Sequence, residues 1–324
     1  MNAPIPSFIK KLKLQQKQLY KLSMLDYQRP LFLKRYIFTT TMGFLLLLPL
    51  IIYGWACFSR PPQTNTEKKL FKGITYKRKF GLNIRPTVIH IVKIDLSVPG
   101  VKVLVTPPQA IGDNNTTSAR TASQFLQEFK LQLAVNANYF YPFRENTPWD
   151  YYPHSGDIAY AIGQAISNGK HYSKADSKWG VLCISQQNSA QILDSGNCPQ
   201  NTLQGVAGRD VFIKDGKPLK SDSEEDKPYP RVVVATNKQG NILWLVTVDG
   251  KQPLYSEGVT IAELTDIVQD LGAHAALNLD GGGSTTLVMT KNNKPKLLNA
   301  PIHTKLPMRE RPVANHLGFY ADGL

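Results

Sequence analysis

Hydrophobic and polar residues are distributed in two different ways along this chain. Residues 36–59 contain no charged side chain and include the apolar run MGFLLLLPLIIYGWACF. From about residue 86 onwards, apolar residues occur in short runs separated by Gly, Pro, Asn and Asp, a spacing that is typical of strands and turns. The pattern therefore predicts one long apolar helix followed by a domain built mainly from short strands.

The apolar segment is long enough to cross a membrane. Its 24 residues would span about 36 Å as a helix, and a hydrocarbon core is about 30 Å thick. Eight Lys or Arg residues lie within residues 1–36, which predicts a cytoplasmic N-terminus and an exported body. A cleaved signal peptide is the alternative, although no A-x-A site follows the apolar run. We expect a basic tail over residues 1–36, a transmembrane signal anchor over 37–59 and a linker over 60–85.

Residues 86–324 are predicted to form an α+β domain with mixed or antiparallel sheets and a few packed helices. Thr260 and Glu263 have the spacing of a capping box, and apolar residues follow at helical intervals as far as Leu271, so we expect a helix that Gly272 closes. A shorter helix is expected over residues 121–129. Strands or hairpins are expected over residues 87–96, 101–108, 131–140, 179–193, 231–250, 275–280, 284–289 and 314–321.

The net charge of +14 lies mainly in the tail. Nine basic residues and one acidic residue give residues 1–60 a net charge of +8, whereas 29 basic and 23 acidic residues give residues 61–324 only +6. Residues 8–25 alternate Lys with apolar residues, and they either lie on the inner leaflet or form a disordered basic arm. The body contains no basic helix and no stripe of interleaved aromatic residues, so we expect no nucleic-acid partner.

Cysteine and histidine positions limit the remaining chemistry. Cys57 lies in the apolar segment, which leaves Cys183 and Cys198 as a pair that an oxidising compartment would allow to form a disulfide. Two free thiols are the alternative. The six histidines show neither H-x-x-x-H nor H-E-x-x-H spacing, so a zinc site built on histidine is not expected. We expect no cofactor, and the sequence leaves a metal requirement open.

The segment AALNLDGGGSTTLVM, residues 275–289, is the strongest candidate for a site. Asp280 ends an apolar run, and three glycines would let the backbone turn sharply and a ligand approach closely. Backbone amides together with Ser284 and Thr285 would supply hydrogen-bond donors. A plain hairpin turn is the alternative, because Asp-Gly alone is a strong turn signal. The segment lacks the lysine of a P-loop and the final glycine of a nucleophile elbow.

This segment and several others together resemble the phosphodiester glycosidase family. The resemblance covers roughly residues 85–322, and it rests on the set of motifs rather than on any one of them. The matching segments are VDG (248–250), ALNLDGGGSTTLV (276–288), AVNANYF (134–140), GRDVFIKDGKP (208–218), PRVVVATNKQG (230–240) and RPVANHLGFYA (311–321). The resemblance implies hydrolysis of a sugar-1-phosphodiester at its glycosidic bond, and a phosphodiester-linked glycan polymer as the expected substrate.

Such a reaction requires carboxylates near the anomeric carbon and cations around the phosphate. Asp280 is the expected catalytic carboxylate, and Asp249, which also ends an apolar strand before a glycine, is its expected partner; a turn acid is the alternative for Asp249. Each arginine named below has a surface ion pair as its alternative role, and only one of the two asparagines can face the site. The expected substrate-binding residues are Arg209, Arg231, Arg311, Asn136, Asn138, Gly281, Gly282, Gly283, Ser284 and Thr285.

Two other functions remain open from the sequence. A protein with this fold could bind glycans without catalysis, because fold does not determine activity. A phosphodiesterase that cleaves P–O rather than C–O is the second alternative. Product analysis distinguishes all three.

Overall fold

The computed structural model describes residues 7–82, 84–111, 114–219 and 226–324. The chain divides into two units, with the boundary between Trp55 and Ala56. The long helix α1 (Ser7–Phe58) makes up the described part of the first unit and ends three residues into the second. Its segment Tyr36–Phe58 is long and apolar enough to cross a membrane, with a mean hydropathy of 1.9. The prediction of one transmembrane-type helix before an α+β domain is therefore confirmed.

The second unit contains two further α-helices among its described residues, α2 (Ala122–Glu128) and α3 (Ile261–Gln269). Its strands are short and mostly antiparallel. In chain order they are β1 (Thr66–Phe71), β2 (Ile74–Gly81), β3 (Thr87–Asp95), β4 (Lys102–Val105), β5 (Gln109–Ile111), β6 (Asn114–Ser118), β7 (Leu133–Asn136), β8 (Phe140–Tyr141), β9 (Arg144–Glu145), β10 (Tyr151–Tyr152), β11 (Ile158–Ala161), β12 (Ala165–Ser167), β13 (Lys170–Ser173), β14 (Gly180–Ser185), β15 (Ala190–Leu193), β16 (Thr202–Gly208), β17 (Val211–Lys214), β18 (Lys217–Pro218), β19 (Arg231–Thr236), β20 (Ile242–Val248), β21 (Ala275–Asn278), β22 (Leu287–Lys291), β23 (Lys294–Leu297), β24 (Ile302–His303), β25 (Leu306–Pro307) and β26 (His316–Tyr320).

Three large sheets organise this unit. The largest has eight strands in the order β1-β2-β3-β20-β19-β21-β17-β18. Two five-stranded sheets have the orders β23-β22-β7-β26-β4 and β13-β12-β16-β14-β15. A four-stranded sheet, β5-β6-β11-β8, and the hairpins β9-β10 and β24-β25 complete the described strands. The main apolar core contains buried side chains from the eight-stranded sheet and from both five-stranded sheets.

Alternation along the central strands explains how the eight-stranded sheet is buried on both faces. In β19, Val232 and Val234 belong to the main core, whereas Val233 and Ala235 belong to a second core that includes Leu264 of α3. Successive strand side chains point to opposite faces, so a continuous apolar run requires a cover on each face. Helix α2 similarly covers the outer face of the sheet that contains β7 and β22.

Helix boundaries follow their capping residues. Thr260 accepts a hydrogen bond from the Glu263 amide, and the Glu263 carboxylate accepts one from the Thr260 amide, as the sequence predicts. Thr121 and Gln124 form the same arrangement at the start of α2. Gly272 has a φ of +80°, which allows the chain to leave α3 in a left-handed turn.

Three sequence-based boundaries differ from the structure. The segment expected as a linker over residues 60–85 contains β1 and β2, which form the edge hairpin of the eight-stranded sheet. The strand expected over residues 284–289 begins only at Leu287, because Gly282–Ser284 form a 3₁₀ turn. The strand expected over residues 131–140 is interrupted between β7 and β8.

A disulfide joins Cys183 of β14 to Cys198, and their Cα atoms are 5.7 Å apart. Both cysteines are buried against Ile166 and Val181. The bond closes a segment that contains the β14-β15 hairpin and leaves Cys57 as the free cysteine among the described residues.

Candidate active site

Asp280 follows β21, the strand that lies between β19 and β17 in the largest sheet. Its backbone is held on two sides. The Asp280 amide donates to the Ala137 carbonyl at 3.0 Å, and Nδ2 of Asn136 donates to the Asp280 carbonyl at 2.6 Å. The Leu279 amide donates to the Val232 carbonyl at 2.8 Å, which extends the pairing of β21 with β19 by one residue. The carboxylate is therefore carried on a fixed backbone at the end of a buried strand.

The three glycines after Asp280 make room for other parts of the protein. A Cβ atom on Gly281 would lie 2.5 Å from the Pro230 carbonyl oxygen, and one on Gly282 would lie 2.8 Å from the hydroxyl oxygen of Tyr229. Gly282 also has a φ of +61°. From the sequence, the glycines are expected to let a ligand approach closely. In the structure, Gly281 lines the cavity described below, and all three positions are closely packed against neighbouring residues.

A cavity of about 490 Å³ opens beside Asp280. Among the described residues that line this cavity, one side chain, Asp280, is acidic and four are basic. The lining residues are Tyr139, Phe140, Phe143, Arg209, Lys227, Tyr229, Pro230, Arg231, Asn278, Asp280, Gly281 and Arg311. The cavity therefore combines one carboxylate, several cations and aromatic rings.

Burial raises the pKa of Asp280 to about 6. A hydrogen bond with Ser284 and the charge of Arg311 act in the opposite direction, but they only partly offset the loss of hydration. A carboxyl group whose pKa lies near neutrality exchanges a proton readily under physiological conditions, which suits acid–base chemistry.

Arg311 is held in place on every side. Nη1 donates to Oγ of Ser284 at 3.1 Å, Nε donates to Nδ1 of His303 at 3.2 Å, and Nη2 pairs with the Glu145 carboxylate. The guanidinium also lies over the Phe143 ring, 4.6 Å from its centroid. Because Arg311 has its geometry fixed before any ligand binds, it can present its cation to the cavity at little entropic cost.

His303 accepts the hydrogen bond from Arg311 because it is neutral. Burial, with the charge of Arg311 and Arg309, lowers the pKa of His303 to about 3. A neutral ring leaves Nδ1 able to accept the hydrogen bond from Nε of Arg311. His303 and Glu145 were not predicted from the sequence as supports for Arg311, because no sequence pattern links Glu145 to a residue 166 positions away.

Arg231 and Arg209 lie on the same cavity but differ in how tightly they are held. Arg231 donates to the carbonyls of Val259 and Lys227, both at 3.3 Å, and lies 3.6 Å from Asp226. Burial lowers the pKa of Arg231. The Arg209 side chain is 67% exposed, with its nearest carboxylate on Asp210 at 3.9 Å. All three arginines that the sequence predicts for substrate binding therefore line one cavity.

Asp249, by contrast, is absent from the described lining of that cavity. Its Oδ2 is 2.9 Å from Nε2 of His90, and its Oδ1 accepts hydrogen bonds from Nδ2 of Asn299 at 3.0 Å and from the Ala300 amide at 2.9 Å. Asn299 also donates to the Thr285 carbonyl at 3.1 Å. Asp249 therefore braces the chain just after the glycines, from within the protein.

Strand direction and alternation explain the different positions of the two aspartates. Strands β20 and β21 each run antiparallel to β19, so both end at the same edge of the sheet. Arg231 lies opposite Val248, and Val233 lies opposite both Val246 and Asn278. These residues and Asp280 therefore share one face, whereas Asp249, next after Val248, points to the other face. Asp249 and Asp280 therefore lie at the same edge of the sheet but on opposite faces.

The two asparagines expected to bind sugar brace the backbone instead. Oδ1 of Asn136 accepts from the Thr286 amide at 3.0 Å, while its Nδ2 holds Asp280. Nδ2 of Asn138 donates to the carbonyls of Ile162 and Gln164 at 3.1 and 3.3 Å. Ser284 supports Arg311, and Thr285 is buried beside the 3₁₀ turn.

Several cavity residues were not identified from the sequence. Tyr139 lies within a segment that was singled out for its asparagines, and its ring packs against Trp179 at 5.3 Å between centroids. Burial beside Asp280 raises the pKa of Tyr139, so its hydroxyl stays protonated. Tyr229, Phe143 and Asn278 also line the cavity. Asn278 precedes Asp280 by two residues, and this spacing in a strand was the signal that could have identified it.

No group of three or more His, Cys, Asp or Glu side chains in the described part of the chain is placed to hold a metal ion. The side chains that line the cavity supply one proton-exchanging carboxyl group, cations that suit an anionic ligand, and rings that can stack on a sugar.

The model of the phosphodiester glycosidase family matches residues 129–320. The chain belongs to this family. The match begins immediately after α2 and ends with the last residue of β26, so it includes β7, the Asp280 segment and all three cavity arginines. The prediction of this family from sequence motifs is confirmed.

Two solved structures show the same fold at low sequence identity. The catalytic domain of zebrafish N-acetylglucosamine-1-phosphodiester α-N-acetylglucosaminidase is 19% identical, with a TM-score of 0.57, over 81% of this chain and 88% of that one. A hypothetical protein from Synechocystis is 15% identical, with a TM-score of 0.58, over 81% of this chain and 64% of that one. This chain thus spans less than two thirds of the Synechocystis protein. No curated protein sequence matches the chain.

Proposed function

We propose that this phosphodiester glycosidase hydrolyses a sugar-1-phosphodiester at the glycosidic C–O bond, releasing a free sugar and a phosphomonoester. The observation that carries the proposal is Asp280, whose pKa is raised to about 6, in a cavity lined by Arg209, Arg231 and Arg311. An N-acetylglucosamine-like sugar is the proposed glycosyl group. The zebrafish enzyme of the same fold is named for that sugar in such a linkage.

The cations act on the phosphate. A phosphodiester carries one negative charge, and a second develops on the bridging oxygen as the C–O bond breaks. Guanidinium groups donate paired hydrogen bonds to phosphate oxygens and stabilise that developing charge. Because the phosphate is a stable anion, it leaves without a proton from a strong general acid. One carboxylate at the reaction centre is then sufficient.

Asp280 acts at the anomeric carbon. In its ionised form it stabilises the positive charge of the oxocarbenium-like transition state and takes a proton from the attacking water. The water oxygen forms the new bond to the anomeric carbon, and the electron pair of the broken C–O bond leaves on the phosphate. The proton on Asp280 then passes to solvent or to the released phosphomonoester. Asp249 acts indirectly in this proposal, by bracing the backbone that carries the site.

The N-terminal helix places the reaction at a membrane in this proposal. Eight basic residues before the apolar segment support a cytoplasmic N-terminus and an extracytoplasmic, or periplasmic, catalytic unit. A phosphodiester-linked glycan of the cell envelope or an exopolysaccharide is the corresponding substrate. Protease added outside intact spheroplasts should digest residues 62–324; protection of this segment would contradict the orientation.

Isotope labelling of the products tests the bond that is cleaved. The full chain, purified in detergent, is incubated with the methyl diester of N-acetylglucosamine 1-phosphate in H₂¹⁸O. Cleavage at C–O gives free N-acetylglucosamine and methyl phosphate without ¹⁸O in the phosphate. Cleavage at P–O gives N-acetylglucosamine 1-phosphate or methyl phosphate containing ¹⁸O, and would replace the proposal with a phosphodiesterase. Binding without any product would favour a glycan-binding protein.

A further inference from the structure

Asn278 carries a buried polar atom that faces the candidate active site. Its side chain is 4% exposed and lines the same cavity as Asp280. Oδ1 of Asn278 has no hydrogen-bond partner among the described residues. Leaving a buried amide oxygen without a partner is costly, so its retention beside a cavity points to a partner that a ligand supplies.

The position of this amide is fixed by its backbone. The Asn278 amide donates to the Asp210 carbonyl at 2.9 Å, and its carbonyl accepts from the Arg209 amide at 2.8 Å. Val233 lies opposite it in β19. These bonds satisfy the main chain and leave the side chain free of any bracing role, unlike Asn136 and Asn138, whose Nδ2 atoms hold backbone carbonyls.

The chemistry of Oδ1 excludes the phosphate as its partner. An amide oxygen accepts hydrogen bonds, and the oxygens of a phosphodiester anion also only accept them. The cavity's arginines and Lys227 supply donors, which suit the phosphate. Asn278 instead requires a donor, and a sugar supplies one through a ring hydroxyl or through the N–H of an N-acetyl substituent.

The spacing places that donor on the sugar undergoing cleavage. Asn278 and Asp280 share one face of the strand, and two residues of extended chain span about 6.6 Å. That length is comparable to the width of a single sugar ring. A ring whose anomeric carbon lies at Asp280 can therefore extend a substituent to Asn278.

We infer that Asn278 is a specificity-determining residue that accepts a hydrogen bond from a hydroxyl or amide N–H on the sugar ring held at Asp280. The inference rests on the proposed function for the placement of the anomeric carbon. In this arrangement Asn278 binds the sugar and the arginines bind the phosphate. The enzyme then selects its substrate by recognising one substituent of the sugar ring.

A substrate–mutant cycle tests this inference. Wild type and Asn278→Ala, both as full chains in detergent, are assayed with the methyl diester of N-acetylglucosamine 1-phosphate and with its 2-, 3-, 4- and 6-deoxy analogues, the first lacking the acetamido group. Asn278→Ala should lower kcat/KM on the parent compound by about 10- to 100-fold. For one deoxy analogue, kcat/KM of the wild type should be lower than on the parent compound by a similar factor. On that analogue, Asn278→Ala should have the same kcat/KM as the wild type. This analogue also distinguishes a hydroxyl from an N–H as the donor.

Two controls separate recognition from a general disturbance of the site. Methyl phosphate should inhibit wild type and Asn278→Ala with the same inhibition constant, because Asn278 is proposed to bind the sugar and not the phosphate. Asn138→Ala removes another buried amide with an unpartnered Oδ1, but one outside the described cavity lining. It should lower Tm and leave the ratio between parent and deoxy substrates unchanged.

The outcomes distinguish this inference from the proposed function. Equal losses by Asn278→Ala on the parent and on every analogue, or wild-type activity in the variant, would overturn the inference while leaving the reaction intact. If wild type cleaves none of the compounds, the proposed reaction is wrong. The Kd values of wild type and Asn278→Ala for the parent compound and its analogues are then compared in the same way. A coupling to one substituent would then still support recognition by Asn278, and its absence would refute it.

Discussion

Arg311 and Gly283 are packed so closely that a Cβ atom on Gly283 would overlap the guanidinium group. The same guanidinium donates to Oγ of Ser284 at 3.1 Å and pairs with Glu145. Gly283, the last glycine of the motif, therefore leaves the space that the Arg311 guanidinium occupies beside the cavity. This contact gives one physical reason for a third glycine where a hairpin would need only one.

Gly283→Ala should displace Arg311 from its present position. A shift of about 1 Å in a group that positions substrate can lower activity by about 10²-fold. We expect kcat/KM on the diester substrate to fall by about 10- to 100-fold, with a weaker inhibition by methyl phosphate. Gly323→Ala is the matched control, because its Cβ would enter open space and should change nothing. Unchanged activity in Gly283→Ala would show that the Arg311 position is not required.

The pH dependence of activity should report the ionisation of Asp280. If its carboxylate takes the proton from water, kcat/KM should rise with pH through about 6, the raised pKa of this group, and then level off. Asp280→Asn should lose at least about 10²-fold in turnover and lose this pH-dependent rise in any residual activity. Activity that instead falls through pH 6 would assign Asp280 the role of a proton donor.

Parts of the site could be predicted from sequence because they depend on local pattern. The run around Asp280 ends an apolar strand, and Arg209, Arg231 and Arg311 lie in segments similar to one family, so all four were expected at one site, and they line one cavity. The role of Asn136 was not predicted, because alternation shows that neighbouring side chains face opposite ways without showing which face holds the cavity.

The supports of the site could not be predicted from sequence because they depend on contacts between distant segments. Glu145 pairs with Arg311 across 166 residues, and Asp249 contacts His90 across 159. The pattern of apolar and polar residues within a segment does not show which distant residues will contact it. The edge hairpin β1-β2 was likewise missed, since its polar residues and prolines nearby resemble a linker until the neighbouring strand β3 is considered.

The Cys183–Cys198 bond gives a prediction about thiol content. The full chain, unfolded without reductant, should react with a thiol reagent at one cysteine, Cys57, and at three after reduction. The sequence separation of 15 residues corresponds to about 3 kcal/mol of stabilisation by loop closure. Replacing both cysteines by Ser should therefore lower Tm. Three reactive thiols before reduction, in protein from its native compartment, would contradict the bond.

Asp249 and Asp280 should respond in opposite ways to the same substitution. Asp249 accepts hydrogen bonds from Asn299 and Ala300 and pairs with His90 in a fully buried network. Asp249→Asn places an amide where acceptors are needed, and breaking a buried pair in this way costs about 3–5 kcal/mol. We expect a Tm lower by several degrees, with a smaller loss of activity than in Asp280→Asn when both are assayed below their unfolding transitions.

Asp280→Asn should leave stability unchanged or increase it, and the sign follows from its pKa. The pKa of about 6 in the folded state lies above the ordinary pKa of 3.8 for Asp, so the folded state holds the proton more tightly than the unfolded chain. The stabilising contribution of this group is complete below about pH 4 and is lost as pH rises through about 6. Asn remains neutral, so the variant should lack this decline. Thermal unfolding of wild type, Asp249→Asn and Asp280→Asn at pH 5 and pH 8 measures the difference. If Asp280→Asn is the less stable variant at pH 8, Asp280 braces the fold and the catalytic carboxylate lies elsewhere.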